Sequence, residues 1–293
     1  MTFWRCCLRY DLHLHSTASD GSLSPEELMS LCAEKKLQCV ALTDHDTLSG
    51  LPLARKKAEE LGLNLISGIE LSCVWRRQTL HLLSIGLDEH NPEVKAFMVE
   101  LETIRQQRAE KIAERLVKKG INASILDNAQ AIAGNVSLCR PHFAKALVEM
   151  GYVRSVKDAF DVYLGQGKAG DVKALWPDLE KVIALVKQAN GYTILAHPTK
   201  YNMTFTRLRL LFEELKGLGV DAIEVSYPGL NPDQGRELLR WVKHYGFKVS
   251  AGSDFHSTLS PWTLPGCFPE IELNENHILN VLLSNMNVDA RMS

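Results

Sequence analysis

The stretch Tyr10-Asp11-Leu12-His13-Leu14-His15 alternates apolar and polar residues, as a short half-buried strand does. In a strand, residues two apart face the same side, so His13 and His15 can grip one ion together from a strand end. The same pairing recurs near the other end of the chain, in Ser253-Asp254-Phe255-His256. Between them lie Thr43-Asp44-His45-Asp46, Gly68-Ile69-Glu70, Leu80-His81-Leu82 and Ala196-His197-Pro198, most of them closing an apolar, β-branched run. A barrel builds a site from the ends of several different strands, and this is the pattern that arrangement leaves in a sequence. With His142 of Arg140-Pro141-His142, seven of the ten histidines stand where a metal could use them. The chain reads as a metal-dependent hydrolase.

Working outward, Ser24 followed by Pro25, with Glu27 three residues after the serine, is an N-cap, a first-turn proline and a capping box, which predicts a helix to about Lys36. A strand over 38–42 ends at Thr43-Asp44-His45. A helix over 48–61 stops at Gly62, a strand over 63–69 ends at Glu70, and a strand over 79–85 carries His81. This βαβα order favours parallel strands flanked by helices. A long charged helix over 92–119 and three shorter ones over 124–133, 141–150 and 156–164 then lead to the Gly-rich loop Gly165–Gly170. No strand interrupts them, which predicts a helical insertion over 101–175 within a barrel formed by 8–100 and 176–293. Alternation resumes with strands over 192–195, 222–225 and 248–251, separated by helices over 205–218 and 232–245. An amphipathic helix over 277–286 closes the chain.

The 293 residues suit one large domain or one domain with an insertion, and 45% hydrophobic against 23% charged residues is a globular composition. A net charge of −2 gives no global basic field for nucleic acid, although a few local cations could still hold a short strand. The seven cysteines are odd in number and lack a C-x-x-C spacing, which argues against both a disulfide framework and a thiolate zinc site. Residues 1–10 read as a lead-in to the first strand. No apolar run approaches the ~18 residues of a membrane span, so the expected location is cytoplasmic, with no membrane contact and no stable protein partner.

The candidate ligands are His13, His15, Asp20, His45, Glu70, His81, His197, Asp254 and His256, all offering nitrogen or oxygen. Such a set suits Mn²⁺, Zn²⁺ or Fe²⁺, and nine ligands exceed the needs of one ion. Closely spaced ions stabilise both the attacking and the leaving oxygen of a displacement at phosphorus. Asp44 and Asp46 are placed to orient the His45 ring, with an N-cap role as the alternative for Asp46.

These motifs, in this order, resemble the PHP (polymerase and histidinol phosphatase) superfamily: His13-Leu14-His15 with Asp20, Thr43-Asp44-His45-Asp46, Ala196-His197-Pro198 and Ser253-Asp254-Phe255-His256. The resemblance implies an α/β fold, a distorted (β/α)7 TIM-like barrel with an inserted helical cap, and a site for three divalent ions, manganese first. It assigns His13, His15, Glu70 and Asp254 to one ion, Glu70, His81 and His197 to a second, and Asp20, His45 and His256 to the third. A closer resemblance, on Ala18-Ser19-Asp20-Gly21, Gly68-Ile69-Glu70-Leu71-Ser72, Arg140-Pro141-His142-Phe143-Ala144 and Gly167-Lys168, is to the TrpH/YciV-like phosphoesterases. It implies 5′→3′ exoribonuclease action on short 5′-phosphorylated RNA, including ribosomal RNA 5′ ends, and removal of the 3′-phosphate from 3′,5′-bisphosphonucleotides.

The residues fit a phosphoester substrate. Arg140 offers a planar fork for phosphate beside a helix start marked by Pro141. His142 is a candidate phosphate contact or proton donor, Lys168 could track a backbone phosphate, and Tyr201 could stack on a base. Asp171 after the Gly-Lys element and the loop Ser226–Leu230 depart from the family pattern, and both fall where specificity is set. Two alternatives stay open: a phosphomonoesterase acting on a small metabolite such as histidinol phosphate, and a non-catalytic PHP regulatory module.

Overall fold

A computed structural model of the chain describes residues 8–173, 176–271 and 273–284. Seven strands form one sheet in sequence order: β1 Tyr10–Asp11, β2 Cys39–Leu42, β3 Asn64–Trp75, β4 Gln78–Ile85, β5 Tyr192–Leu195, β6 Ala222–Ser226 and β7 Lys248–Ala251. The first and last strands are tied by main-chain bonds from Leu12 N–H to the Ala251 carbonyl (3.4 Å) and from His15 N–H to the Phe255 carbonyl (3.0 Å), so the sheet nearly closes into a barrel. Gly252 makes that closure possible. A Cβ there would lie 2.4 Å from the His13 Cβ, closer than two carbons can come. The expected seven-stranded barrel is borne out.

The expectation of uniformly parallel strands is corrected. β1–β2–β3 and β5–β6–β7 are parallel, but β4 runs antiparallel to both β3 and β5. The cause is local. β3 does not stop at Glu70 but continues to Trp75, and Arg76 and Arg77, with φ of 44° and 69°, make a two-residue turn straight into β4. A two-residue link with positive φ at both positions joins antiparallel strands. Glu70 is therefore a mid-strand residue. Ser72 faces His81 across the pair, and alternation puts Glu70 on the same side, so one hairpin presents three polar residues inward.

Helices cover the outside. In α1 (Pro25–Glu34) both capping-box bonds form: Ser24 Oγ accepts from Glu27 N–H at 3.1 Å, and Glu27 Oε2 accepts from Ser24 N–H at 2.8 Å. α2 spans Leu51–Leu61, starting three residues later than expected, because Asp46 is engaged elsewhere and Gly50 takes the N-cap position. α7 (Leu179–Gln188) leads into β5, and α8 (Phe205–Leu218) and α9 (Pro232–Tyr245) follow the expected alternation. A last helix covers 278–284. Residues 285–286, expected to extend it, and residues 1–7 of the expected lead-in lie outside the described residues.

Between β4 and α7 comes α3 (Pro92–Val117), a single helix that serves two cores. Its first half sets Val94, Phe97 and Leu101 against the barrel core, and its second half sets Ala109, Ile112 and Leu116 against a separate cluster. That cluster is completed by α4 (Ile125–Ala133), α5 (Arg140–Glu149), α6 (Val156–Ala159) and a π-helical turn (Phe160–Leu164), with Phe143 and Leu147 at its centre. The expected helix over 156–164 is thus half α and half π. No helix among the described residues is long and apolar enough to cross a membrane.

Candidate metal centre

The strand ends and the inward face of the β3–β4 hairpin deliver all nine candidate ligands to one spot. Four groups gather with their ligand atoms within 4.8 Å of one another: His15, Asp20, His45 and His256; His13, His15 and Asp254; His13, Glu70 and His197; and His45, Glu70 and His81. Glu70 is the hub. Its Oε2 lies 3.4 Å from His13 Nε2, 3.2 Å from His15 Nε2 and 2.9 Å from His45 Nδ1, while Oε1 lies 2.9 Å from His81 Nδ1 and 3.1 Å from His197 Nε2. Asp254 Oδ1 stands 3.4 Å from both His13 Nε2 and His15 Nε2. Asp20 faces His256 Nε2 at 3.3 Å and His45 Nε2 at 3.8 Å.

The chemistry of this set fits divalent cations. Ligand atoms about 2.1 Å from one ion in a tetrahedral array are about 3.4 Å apart, which is the spacing around Glu70 and Asp254. His13 Nε2, His15 Nε2, His45 Nδ1, His81 Nδ1 and Glu70 Oε2 are buried and have no hydrogen-bond partner. Buried polar atoms are rarely left so, and five of them aimed at one point mark an ion-shaped requirement. The electrostatics agree. Burial pushes the Glu70 carboxyl up, yet the imidazoles of His45, His81 and His13 outweigh it and hold the group well below the usual carboxylate range. Burial disfavours charge on His256, and Asp20 and Asp254 override it, lifting the ring to about 10. The His256 proton stands where an ion would neutralise those carboxylates, while His45, where burial prevails over Glu70 and Asp20, drops to about 4.

Backbone strain sits in the same place. His197 has φ of 28° and Asp254 φ of 52°, in the left-handed region that non-glycine residues avoid. Each such conformation costs about 1–3 kcal/mol and persists only where its surroundings hold it.

The expected orienting role of Asp44 and Asp46 toward His45 is not what the structure shows. Asp44 accepts from Ser16 N–H, Ser16 Oγ and Ser19 Oγ, all at 2.7 Å, and so fixes the loop that carries Asp20. Asp46 accepts from Ser72 N–H at 2.6 Å and Ser72 Oγ at 2.8 Å, and binds the Arg105 guanidinium through Nε (2.8 Å) and Nη2 (2.6 Å). Arg105 belongs to α3, so this buried pair fastens the long helix to the metal floor. Its signal in the sequence was a cation at the i+4 position of an apolar stripe, Phe97, Leu101, Arg105, Ala109.

Above the floor opens a cavity of about 440 Å³ whose wall carries Arg77, Arg105, Arg108, Arg140, Lys173 and Lys200. Arg140 reaches the Leu164 carbonyl at 3.5 Å and lies over the Phe160 ring. Arg108 donates to the Val172 carbonyl at 3.1 Å, and burial together with Arg140 and Arg105 lowers it to about 10. Lys200, three residues past His197, binds Asp254 Oδ2 at 2.6 Å.

The remaining sequence candidates fall elsewhere. His142 is buried behind the wall, its Nδ1 accepting from Cys139 N–H at 3.1 Å as the cap of α5, and it does not line the cavity. Lys168 does not line the cavity either. Tyr201 does, but its hydroxyl is spent on the His81 main chain, accepting from N–H at 2.9 Å and donating to the carbonyl at 3.3 Å, and its ring packs on His197. Asp171 lines the cavity with its carboxylate tied to Gly167 N–H at 2.9 Å. Tyr227, in the loop singled out for specificity, is buried, with its hydroxyl against Thr199 N–H and Oγ1 at 3.0 and 2.7 Å. Sequence reading missed Glu224, a buried carboxylate of β6 beside His13. A lone acid within the apolar run 222–225 was its signal.

A family model described as the PHP domain matches residues 11–193. The chain belongs to the PHP family. It is 40% identical over 248 residues to a 5′-3′ exoribonuclease of Haemophilus influenzae, covering 85% of this chain and 90% of that protein. It is 34% identical over 248 residues to a 3′,5′-nucleoside bisphosphate phosphatase of Chromobacterium violaceum, covering 84% of this chain and 87% of that protein. Among solved structures, an amidohydrolase from Chromobacterium violaceum with bound sulfate superposes with a TM-score of 0.86 at 32% identity, over 94% of this chain and 96% of that one. The PHP resemblance read from the motifs is borne out, and so is the expectation of a hydrolase of phosphoester bonds. A PHP barrel with candidate His/Asp/Glu clusters is what a metal-dependent phosphoesterase requires.

Proposed function

We propose that the protein hydrolyses nucleotide phosphoesters, removing 5′ nucleotides from short 5′-phosphorylated RNA in the 5′→3′ direction and the 3′-phosphate from 3′,5′-bisphosphonucleotides. One observation carries this reading: seven of the nine ligands, with His13 and His15 buried beneath them, face a wall of cations across one cavity, so a substrate needs a phosphate to react and a second anion to be held. The relatives' activities are of this kind.

In this reading the floor holds three divalent ions, manganese first, with Zn²⁺ or Fe²⁺ as the other candidates. Glu70 spans two ligand groups with its two oxygens. Bound ions supply an activated water at neutral pH and neutralise charge at the phosphorus. The chain does the rest. Arg140 and Arg108 clamp the phosphate that does not react, a task suited to paired guanidiniums. Lys200 keeps a positive charge against the rim of the floor at Asp254. His142, tied to the N-cap, positions the turn that bears Arg140. Tyr201 holds the His81 main chain with its hydroxyl and packs its ring against His197 at the cavity wall. Lys168 is left as a solvated residue of the Gly-rich loop. Residues 101–175 form a cap over a barrel of 8–100 and 176–293, supported by the separate apolar cluster of α4, α5 and α6. The five described cysteines are free, which supports a reducing, cytoplasmic setting.

The test is a substrate panel with Mn²⁺ and with chelator: adenosine 3′,5′-bisphosphate, a 5′-phosphorylated oligoribonucleotide and histidinol phosphate. Metal-dependent release of AMP from the first and of 5′ mononucleotides from the second supports the reading. Turnover of histidinol phosphate alone moves the substrate to a small metabolite, and no turnover of any of the three leaves the non-catalytic module.

A further inference from the structure

Glu224 lies on β6, fully buried and facing the interior of the barrel. Its two oxygens serve two different strand ends. Oε1 is 3.1 Å from His13 Nδ1, in the segment after β1, and Oε2 accepts from the His197 main-chain N–H at 2.7 Å, just past β5. An ionised carboxylate can only accept hydrogen bonds, so the proton of this contact belongs to His13 Nδ1. Nε2 is then the ring atom left for a cation. That is the atom left without a hydrogen-bond partner, 3.4 Å from both Glu70 Oε2 and Asp254 Oδ1. The other oxygen restrains one of the two strained residues of the site, because His197 sits at φ 28° and ψ 59°. Three residues along, the Tyr227 hydroxyl bonds Thr199 at 3.0 Å rather than a candidate ligand, which makes it the control.

We propose that Glu224 is a positioning residue for the metal centre. One carboxylate selects the His13 tautomer that exposes Nε2 and holds the His197 main chain in the conformation that aims its ring at Glu70. β6, which contributes none of the nine candidate ligands, thereby sets two of them. Glutamine cannot replace it. One end of an amide can accept, but the other can only donate, so at most one of the two N–H groups stays satisfied.

This inference rests on the metal-centre reading above, and the experiment reads metal and tautomer rather than turnover. Chelator-stripped wild type, Glu224→Gln and Tyr227→Phe are titrated with Mn²⁺ by calorimetry, and thermal unfolding is followed with and without the ion. Loss of an orienting partner costs ~10–100-fold in metal affinity. The expected result is that loss for Glu224→Gln, with a diminished Mn²⁺-induced rise in melting temperature, and near-wild-type affinity for Tyr227→Phe. Equal affinity of Glu224→Gln and wild type overturns the inference. Absence of Mn²⁺ binding by wild type overturns the metal-centre reading itself. A second measurement needs no folded Glu224 variant: long-range proton–nitrogen NMR of the Zn²⁺-loaded wild type labelled with ¹⁵N-histidine, with the His13 signal assigned by its loss in His13→Gln. A proton on Nδ1 supports the proposal, and a proton on Nε2 overturns it.

Discussion

The floor and the roof of the cavity are built on opposite principles. On the floor, groups point at one another with too few protons to satisfy them: Glu70 faces five imidazoles, and several of the buried ring nitrogens have no partner. On the roof Arg108 and Arg140 are supported by neutral partners of their own scaffold, the Val172 and Leu164 carbonyls, while Arg105 reaches down to Asp46 of the barrel. On the proposed reading cations complete the floor, whereas Arg108 and Arg140 on the roof keep their charge for an anion. That reading separates chemistry from recognition, and it predicts different signatures for substitutions on the two sides.

The largest effect belongs to the hub of the floor. Glu70→Gln removes a charge shared by two ligand groups, and turnover falls by at least about 1,000-fold with loss of bound metal, as phosphate release and elemental analysis would show. If this variant kept its metal and its rate, the floor would not be the reacting side. The fastening between floor and roof comes next. Arg105→Met leaves Asp46 buried without its partner, and removing one member of a buried pair costs about 3–5 kcal/mol. Urea unfolding measures it, and a cost near zero would mean that cap and barrel are not coupled through this pair.

A smaller effect lies away from both surfaces, where β1 and β7 begin. His277 accepts from Leu279 N–H at Nδ1 and meets the Tyr10 hydroxyl at Nε2, and burial lowers its pKa from 6.5 to about 4. With the folded value below the unfolded one, its contribution is complete above pH 6.5 and is lost as pH falls through about 4. The loss is on the order of 3 kcal/mol. Stability of His277→Gln relative to wild type, measured from pH 7 down to 4, is expected to show a gap that narrows with acid. A constant gap would mean that the ring does not titrate on unfolding. On the roof, Arg140→Ala keeps the metals and loses about 100-fold in kcat/KM, the worth of a charged hydrogen bond to phosphate. Lys168→Ala, off the cavity wall, leaves kcat/KM unchanged, and a deficit equal to that of Arg140→Ala would place the Gly-rich loop in the substrate path.

The same division explains what could be read in advance. His13 with His15, and Asp254 with His256, were legible because a strand's two-residue period is local, and so was α1, whose capping box lies within Ser24–Glu27. The antiparallel β4 was not, because Arg76-Arg77 lacks the Asn-Gly or Gly-Gly signal that usually marks a two-residue hairpin. The partners Asp46–Arg105 and Glu224–His13, 59 and 211 residues apart, depend on contacts that no local pattern encodes. His142 illustrates the reverse case: its residue type suggested chemistry, and its position next to Cys139 turned it into a cap.

The most direct measurement is a titration of the chelator-stripped protein with Mn²⁺ while AMP release from adenosine 3′,5′-bisphosphate is followed. A floor of nine ligands predicts a rate that keeps rising until about three equivalents are bound and returns to background with chelator. Full activity at a single equivalent, or release that is indifferent to metal, would contradict a shared multi-ion floor as the source of the chemistry.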